Sequence, residues 1–185
     1  MPVGGCMEYF EVFGDDGACL GLVARGEVHR RGLWHRSVHC FVWNGRGEML
    51  LQRRAVDKDL YAGCWDYAVG EHLKAGESWQ RGMQRGLFEE LGLKGQQPVP
   101  LGELYREALH WPGGIDAEIQ QTFVLRTDAS VHADGVEVAE LAWVQRDQLS
   151  RWLVEAPGEF TPWFVREMER LSILADWNQL ANALS

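Results

Sequence analysis

Apolar and polar positions alternate along this chain in blocks that predict strands, then a helix, then strands, then helices. Residues 8–13 (EYFEVF) and 18–23 (ACLGLV) flank the turn Gly14-Asp15-Asp16-Gly17 and predict a β-hairpin. A second hairpin is predicted from His39–Trp43, the turn Asn44-Gly45-Arg46-Gly47 and Glu48–Gln52. Further strands are expected around Trp65–Val69, Pro100–Leu109, Glu118–Arg126 and Leu141–Val144. Trp79, Met83, Leu87 and Leu91 recur every four residues, the spacing of one helix face. Gly76-Glu77-Ser78 supplies the start of that helix, and Gly92 sits where a C-terminal cap belongs. Arg146–Leu153 reads as helical, as does most of 161–183, where Trp163, Phe164, Met168, Leu171 and Leu174 share helical spacing. This order fits an α/β class, a sandwich with a mixed sheet between helices. With no repeat, low-complexity tract or linker, the expectation is one domain over 1–185, with an N-terminal hairpin in 1–25 and a helical segment at 160–183.

The polar face of the helix after residue 78 changes the picture from fold to chemistry. It carries Arg85, Glu89 and Glu90, with Glu77 about two turns earlier. Adjacent carboxylates on an exposed helix face suit a hard cation that prefers oxygen ligands. An ordinary amphipathic helix with a solvated acidic face is the bland alternative. Gly82 and Gly86 lie inside the helix, and each costs about 1 kcal/mol relative to alanine. Such a helix is held by its tertiary surroundings. Gly86 reads as a packing concession, a lost catalytic group or room for a bulky ligand.

Residues 69–93 (VGEHLKAGESWQRGMQRGLFEELGL) resemble the Nudix box. Glu77, Arg85, Leu87, Glu89, Glu90, Gly92 and Leu93 fall on its positions. Two positions depart: Glu71 stands where the box opens with glycine, and Gly86 where a glutamate follows the arginine. The resemblance implies a Nudix-type α/β/α sandwich and a divalent cation, Mg²⁺ or Mn²⁺. It also implies metal and catalytic roles for Glu89 and Glu90, with Glu118 as a further carboxylate from the strand after the box. Glu71 is expected to reach the metal in place of the missing Gly86 carboxylate. Glu77, Arg85 and Gly92 are expected to be structural, with Arg85 pairing to Glu77.

The runs 26–54 (GEVHRRGLWHRSVHCFVWNGRGEMLLQRR) and 57–66 (DKDLYAGCWD), with 160–163 (FTPW), are similar to the isopentenyl-diphosphate-isomerase-like branch. That similarity implies diphosphate contacts from Arg54 and Lys58, and places Tyr105 on the branch's active-site tyrosine. His29, His35 and His72 fall at or near its metal histidines. We read His29, His35 and His39 on one strand-like run, with His29 and His35 as site scaffolding first and ligands second. His72, at the mouth of the box loop, is the histidine most expected to act on substrate. Two features oppose isomerisation: Gly70 occupies the position of the branch's cysteine, and Gly158 that of a tryptophan before Phe160.

Composition narrows the remaining classes. A net charge of −9 argues against nonspecific nucleic-acid or membrane binding. No charged-then-apolar leader or membrane-length apolar run is visible. Cys6, Cys19, Cys40 and Cys64 have no CxxC pairing, so reduced thiols and a cytoplasmic location are expected, and zinc is not. Most of the nine tryptophans should be core or pocket wall. The leading expectation is a divalent-metal-dependent hydrolase of a diphosphate linked to another moiety, such as a nucleoside diphosphate or related metabolite. A degenerate domain that binds a diphosphate ligand without efficient turnover is the alternative, and isopentenyl-diphosphate isomerase ranks behind both. The expected partner is a small-molecule diphosphate, with the oligomeric state open and a homodimer among the options.

Overall fold

The computed structural model describes residues 8–58 and 60–182, so Cys6 lies outside the described residues. β1 (Tyr9–Phe13) and β2 (Cys19–Ala24) pair as the expected antiparallel hairpin. The chain then turns into α1 (Arg25–Arg31), which Gly32 ends in the left-handed conformation at φ 63°. This helix corrects the strand-like reading of the run that holds His29.

β3 (His35–Trp43) is the centre of the second sheet. It runs parallel to β8 (Gly114–Arg126) and antiparallel to both β6 (Val69–His72) and β4 (Met49–Arg54), which share its other edge. β5 (Trp65–Tyr67) and β9 (Val138–Val144) pair with β4, and β7 (Val99–Trp111) pairs with β8. The result is a seven-stranded mixed sheet.

Alternation along β3 decides what lies on each face. Val38, Cys40 and Val42 point to one side, where they join Met83, Leu87 and Leu91 of α2 (Trp79–Leu91) in one core. Phe41 and Trp43 point to the other, into a core closed by α3 (Arg146–Glu155), α4 (Pro162–Arg170) and α5 (Trp177–Asn182). The expected sandwich of helices about a mixed sheet is therefore observed. Earlier on the same face as Phe41, however, β3 carries His35, Ser37 and His39, all buried. There the apolar core gives way to a polar floor.

α2 begins and ends as its sequence dictates. The Ser78 hydroxyl accepts from the Arg81 N–H, and Gly92, at φ 72°, closes the last turn. Gly82 and Gly86 are both buried. A Cβ built on Gly86 would meet Val69 Cγ1 at 2.7 Å and Glu71 Cβ at 3.2 Å. The space above Gly86 thus belongs to Val69 and Glu71 of β6, the second of which departs from the box glycine. A glutamate at 86 would first crowd Val69 and press on Glu71.

The same crowding sets a stability test. Gly86→Ala should gain about 1 kcal/mol of helix propensity but lose about 1–3 kcal/mol to overpacking. Urea unfolding of the variant should show a lower midpoint at unchanged slope; a higher midpoint would mean that Val69 and Glu71 yield easily.

Candidate active site

Arg85 ties the box loop together. Its Nε and Nη2 donate to the Glu77 carboxylate at 3.0 and 2.9 Å, and Nη2 also donates to the His72 carbonyl at 2.8 Å. Nη1 reaches Glu71 at 2.7 Å and Glu89 at 3.0 Å. Glu77 in turn accepts from the Lys74 N–H at 2.9 Å. This fork fixes β6 to α2 and thereby sets the positions of Glu71 and His72.

Beside that clamp, a histidine–carboxylate cluster assembles from four elements: His29 of α1, His35 of β3, His72 of β6 and Asp116 of β8. One potential ligand atom from each lies within 4.8 Å of the others. His35 Nε2 is 3.3 Å from Asp116 Oδ1, and His29 Nε2 is 3.7 Å from the same oxygen. The Nε2 atoms of all three histidines and Asp116 Oδ1 are buried without a well-aligned hydrogen bond, although His72 Nε2 is close to Glu118. Buried polar atoms are rarely left unpaired, so converging orphans of this kind fit a bound cation. His35 is fixed in orientation by a 3.0 Å contact from Nδ1 to the Leu33 carbonyl, the outer support that a metal-binding imidazole normally has. Phe10 of the hairpin stacks on His35 with ring centroids 5.2 Å apart.

Glu118 is next in line, with Oε1 3.1 Å from His72 Nε2 and Oε2 3.8 Å from His39 Nε2. Burial opposes its ionisation, but His72, His39 and His35 outweigh that and hold it well below the usual carboxylate range. Burial pulls the His29 pKa down to about 4, reinforced by His72 and His35 and opposed by Asp116. His35 moves the other way, because Asp116 and Glu118 outweigh its burial. His39 is also buried, yet the Glu167 carboxylate, 2.8 Å from its Nδ1, raises it to about 9. Thr122 donates to the other oxygen of Glu167.

A cavity of about 330 Å³ opens over this polar floor. It is lined by His29, His39, His72, Asp116 and Glu118, and also by Arg54, Lys58, Glu71 and Glu137. Arg54 sits 5.2 Å over the Trp163 ring and 3.7 Å from Asp66, while Lys58 pairs with Glu137 at 2.7 Å. Trp163 lines the cavity and donates to Asp66 at 2.7 Å. Burial raises Asp66 to about 6, against the pull of Arg54.

Other expected site residues sit elsewhere. Glu89 is half exposed, paired to Arg85 and absent from the cavity wall. Glu90 is buried, which corrects its placement on an exposed face. Burial and the neighbouring Glu71 and Glu137 raise its pKa well above the ordinary value, with Gln52 and Lys58 opposing. Tyr105 does not line the cavity; Arg170 lies 4.2 Å from its ring, and Glu107, two residues on, enters the cavity instead.

A NUDIX domain family model matches residues 33–164. The chain belongs to the Nudix family. Its similarity runs to an isopentenyl-diphosphate Delta-isomerase of Burkholderia multivorans, 31% identical over 160 residues that cover 85% of this chain and 90% of that one. An uncharacterized Nudix hydrolase of Clostridium acetobutylicum is 29% identical over 171 residues, covering 88% and 82%. A solved Deinococcus radiodurans protein superposes with a TM-score of 0.72 at 18% identity, over 89% of this chain and 99% of that one, a likeness of fold. These comparisons support the isopentenyl-diphosphate-isomerase-like branch.

Within this Nudix site, sequence reading overlooked Asp116, Glu107, Asp66, Trp163 and Glu167. Asp116 was within reach of it, being two residues before Glu118 and hence on the same strand face. Glu167 was not, since only the packing of α4 brings it to His39.

The His39–Glu167 pair gives a pH test. A histidine whose folded pKa exceeds its unfolded value contributes stability that is complete below the unfolded value and lost as pH rises through the folded one. Stability should therefore decline from pH 6.5 towards 9, the ordinary and folded values for His39. His39→Gln should flatten that slope in urea titrations, and an unchanged slope would assign the decline to other groups.

Proposed function

We propose that this protein is a divalent-metal-dependent hydrolase of a diphosphate joined to another moiety. The observation that carries the reading is the His29–His35–His72–Asp116 cluster opening into a cavity that also holds Arg54 and Lys58. Of the two ions, Mn²⁺ accepts imidazole nitrogen more readily than Mg²⁺, whose preference is for oxygen, and so suits three imidazoles with carboxylates better. Glu118, held ionised, completes the donor set. Mg²⁺ would instead be held on the oxygen-rich side of the cavity, by carboxylates such as Glu71. Bound divalent charge offsets the negative charge that builds on the diphosphate oxygens and lowers the pKa of water.

The chain's own groups account for the rest. Arg54 and Lys58 bind and orient the diphosphate. Glu71 lines the cavity, is held by Arg85, and has its pKa raised by burial against the pull of Arg85. A carboxylate displaced upward in this way suits a general base. Water attacks phosphorus, its proton passes to Glu71, and the phosphorus–oxygen bond to the leaving group breaks. Glu137 and Glu89 add to the effect of burial on Glu71. A binding-only domain is the alternative if Glu71 fails in this role.

The names of the relatives favour isomerisation as a second reading. The geometry at Gly70 weighs against it. A Cβ there would lie 2.6 Å from Tyr67 Cε2, so the Tyr67 ring occupies the space into which a side chain at 70 would project. Tyr67 is itself buried, with its hydroxyl pKa pushed far up by burial and Asp66, which makes it a poor proton donor.

Two measurements test the assignment. His72→Ala should abolish Mn²⁺ binding in calorimetry and reduce hydrolysis of a diphosphate panel by at least about 10²-fold; full activity would remove the cluster from the mechanism. Glu71→Gln should depress turnover about 10²–10³-fold while Mn²⁺ still binds, and isopentenyl diphosphate should show no isomerisation with either protein. Metal-dependent isomerisation by the unaltered chain would reverse the choice.

A further inference from the structure

The sheet face beneath the cavity is polar well beyond what a cation and a diphosphate use. Ser37, His39, Gln120 and Glu107 all line it, and the first three are buried. β-sheet register sets them side by side: Ser37 lies opposite Gln120 on β8 and opposite His72 on β6, while Glu107 of β7 faces Glu118. Gln120 Nε2 donates to Glu118 at 2.9 Å, and Glu107 is paired with Arg166 at 2.6 Å. Ser37 differs from its neighbours. It is 1% exposed, and its Oγ has no hydrogen-bond partner.

Ser37 and its buried neighbours are already shielded from water, and a hydrocarbon chain laid across this floor would return no hydrogen bond to them. Each buried polar group left unsatisfied in this way costs about 1–3 kcal/mol. Tyr67 narrows the floor further by filling the space beside Gly70. The cavity is at the small end for ligand sites, which favours a compact moiety over an extended one. We infer that the organic half of the substrate is a small hydroxylated group, and that Ser37 with Gln120 selects it against an all-hydrocarbon group of equal size. The inference rests on the diphosphate reading above and specifies what the diphosphate is joined to. The groups are matched to it in kind: Ser37 can donate or accept, the Gln120 carbonyl oxygen can accept, and His39 Nε2 offers an N–H. Sites that hydrogen-bond a substrate hydroxyl discriminate strongly against the analogue that lacks it, because their own buried groups are then left unpaired.

The test uses the full chain loaded with Mn²⁺ and three probes in calorimetric titration: inorganic diphosphate, butyl diphosphate and 3,4-dihydroxybutyl diphosphate. The dihydroxy ester should bind roughly tenfold or more tightly than the butyl ester. Ser37→Ala should bring the two affinities close together, and Ser37→Thr, which keeps the hydroxyl, should preserve their ratio. Equal affinities, or a preference for the butyl ester, would overturn the inference while leaving the diphosphate reading intact, provided that inorganic diphosphate binds. No binding of inorganic diphosphate would overturn both. A preference that survives in Ser37→Ala would remove Ser37 from the selection and overturn the inference as stated.

Discussion

The site depends on one guanidinium. Arg85 spends its planar fork on Glu77, Glu71, Glu89 and the His72 carbonyl, which belong to the box loop, β6 and α2. A lysine could not hold so many fixed partners, because its ammonium is a compact point charge on a flexible stem. Without that clamp β6 would keep its pairing to β3 only through backbone hydrogen bonds, and the side chains of Glu71 and His72 would lose their common reference. The cavity wall at Glu71 and the neighbouring wall at His72 are thus set by the same residue.

The polar floor carries the second constraint. On β3 the side chains at 35, 37 and 39 point to the same face as Phe41 and Trp43, so one strand face is half core and half site. The charges on that floor are balanced locally: Glu167 and Thr122 support His39, and His72 with His39 supports Glu118. The apolar face, with α2 behind it, supplies the rigidity that such an arrangement needs.

Much of this was legible in the sequence, for physical reasons. The four-residue stripe of α2, its caps, both hairpins and the class of fold follow from periodicity and turn chemistry. The box positions of Glu77 and Arg85 foretold their pairing. What was hidden was direction and distance. Glu90 reads as exposed because its neighbour Glu89 is, yet one step around a helix is enough to turn a carboxylate into the interior. His29 reads as strand when grouped with His35 and His39, although Gly32 separates it from them by ending α1. Tyr105 and Glu107, two apart on β7, share a strand face, yet only Glu107 lines the cavity, and no local pattern marks where along that face the cavity begins. Glu71 and Gly86, two departures from one motif, proved to be neighbours in space, so the side chain missing from the helix is matched by an extra one on the strand.

The parallel pairing of β3 with β8 also bears on how the molecule is made. β3 is the most apolar strand of the sheet's centre, and its long edge partner is encoded far downstream. During synthesis from the N-terminus, β3 and β4 can form their hairpin early, but one edge of β3 stays open until β8 emerges. Loop closure over that span is slow compared with hairpin formation. For that interval the nascent chain presents an unpaired, apolar strand edge, the kind of surface that invites association with other chains. His35, Ser37 and His39 lie on that same strand. The groups that serve the site therefore also interrupt its hydrophobic run while it waits for its partner.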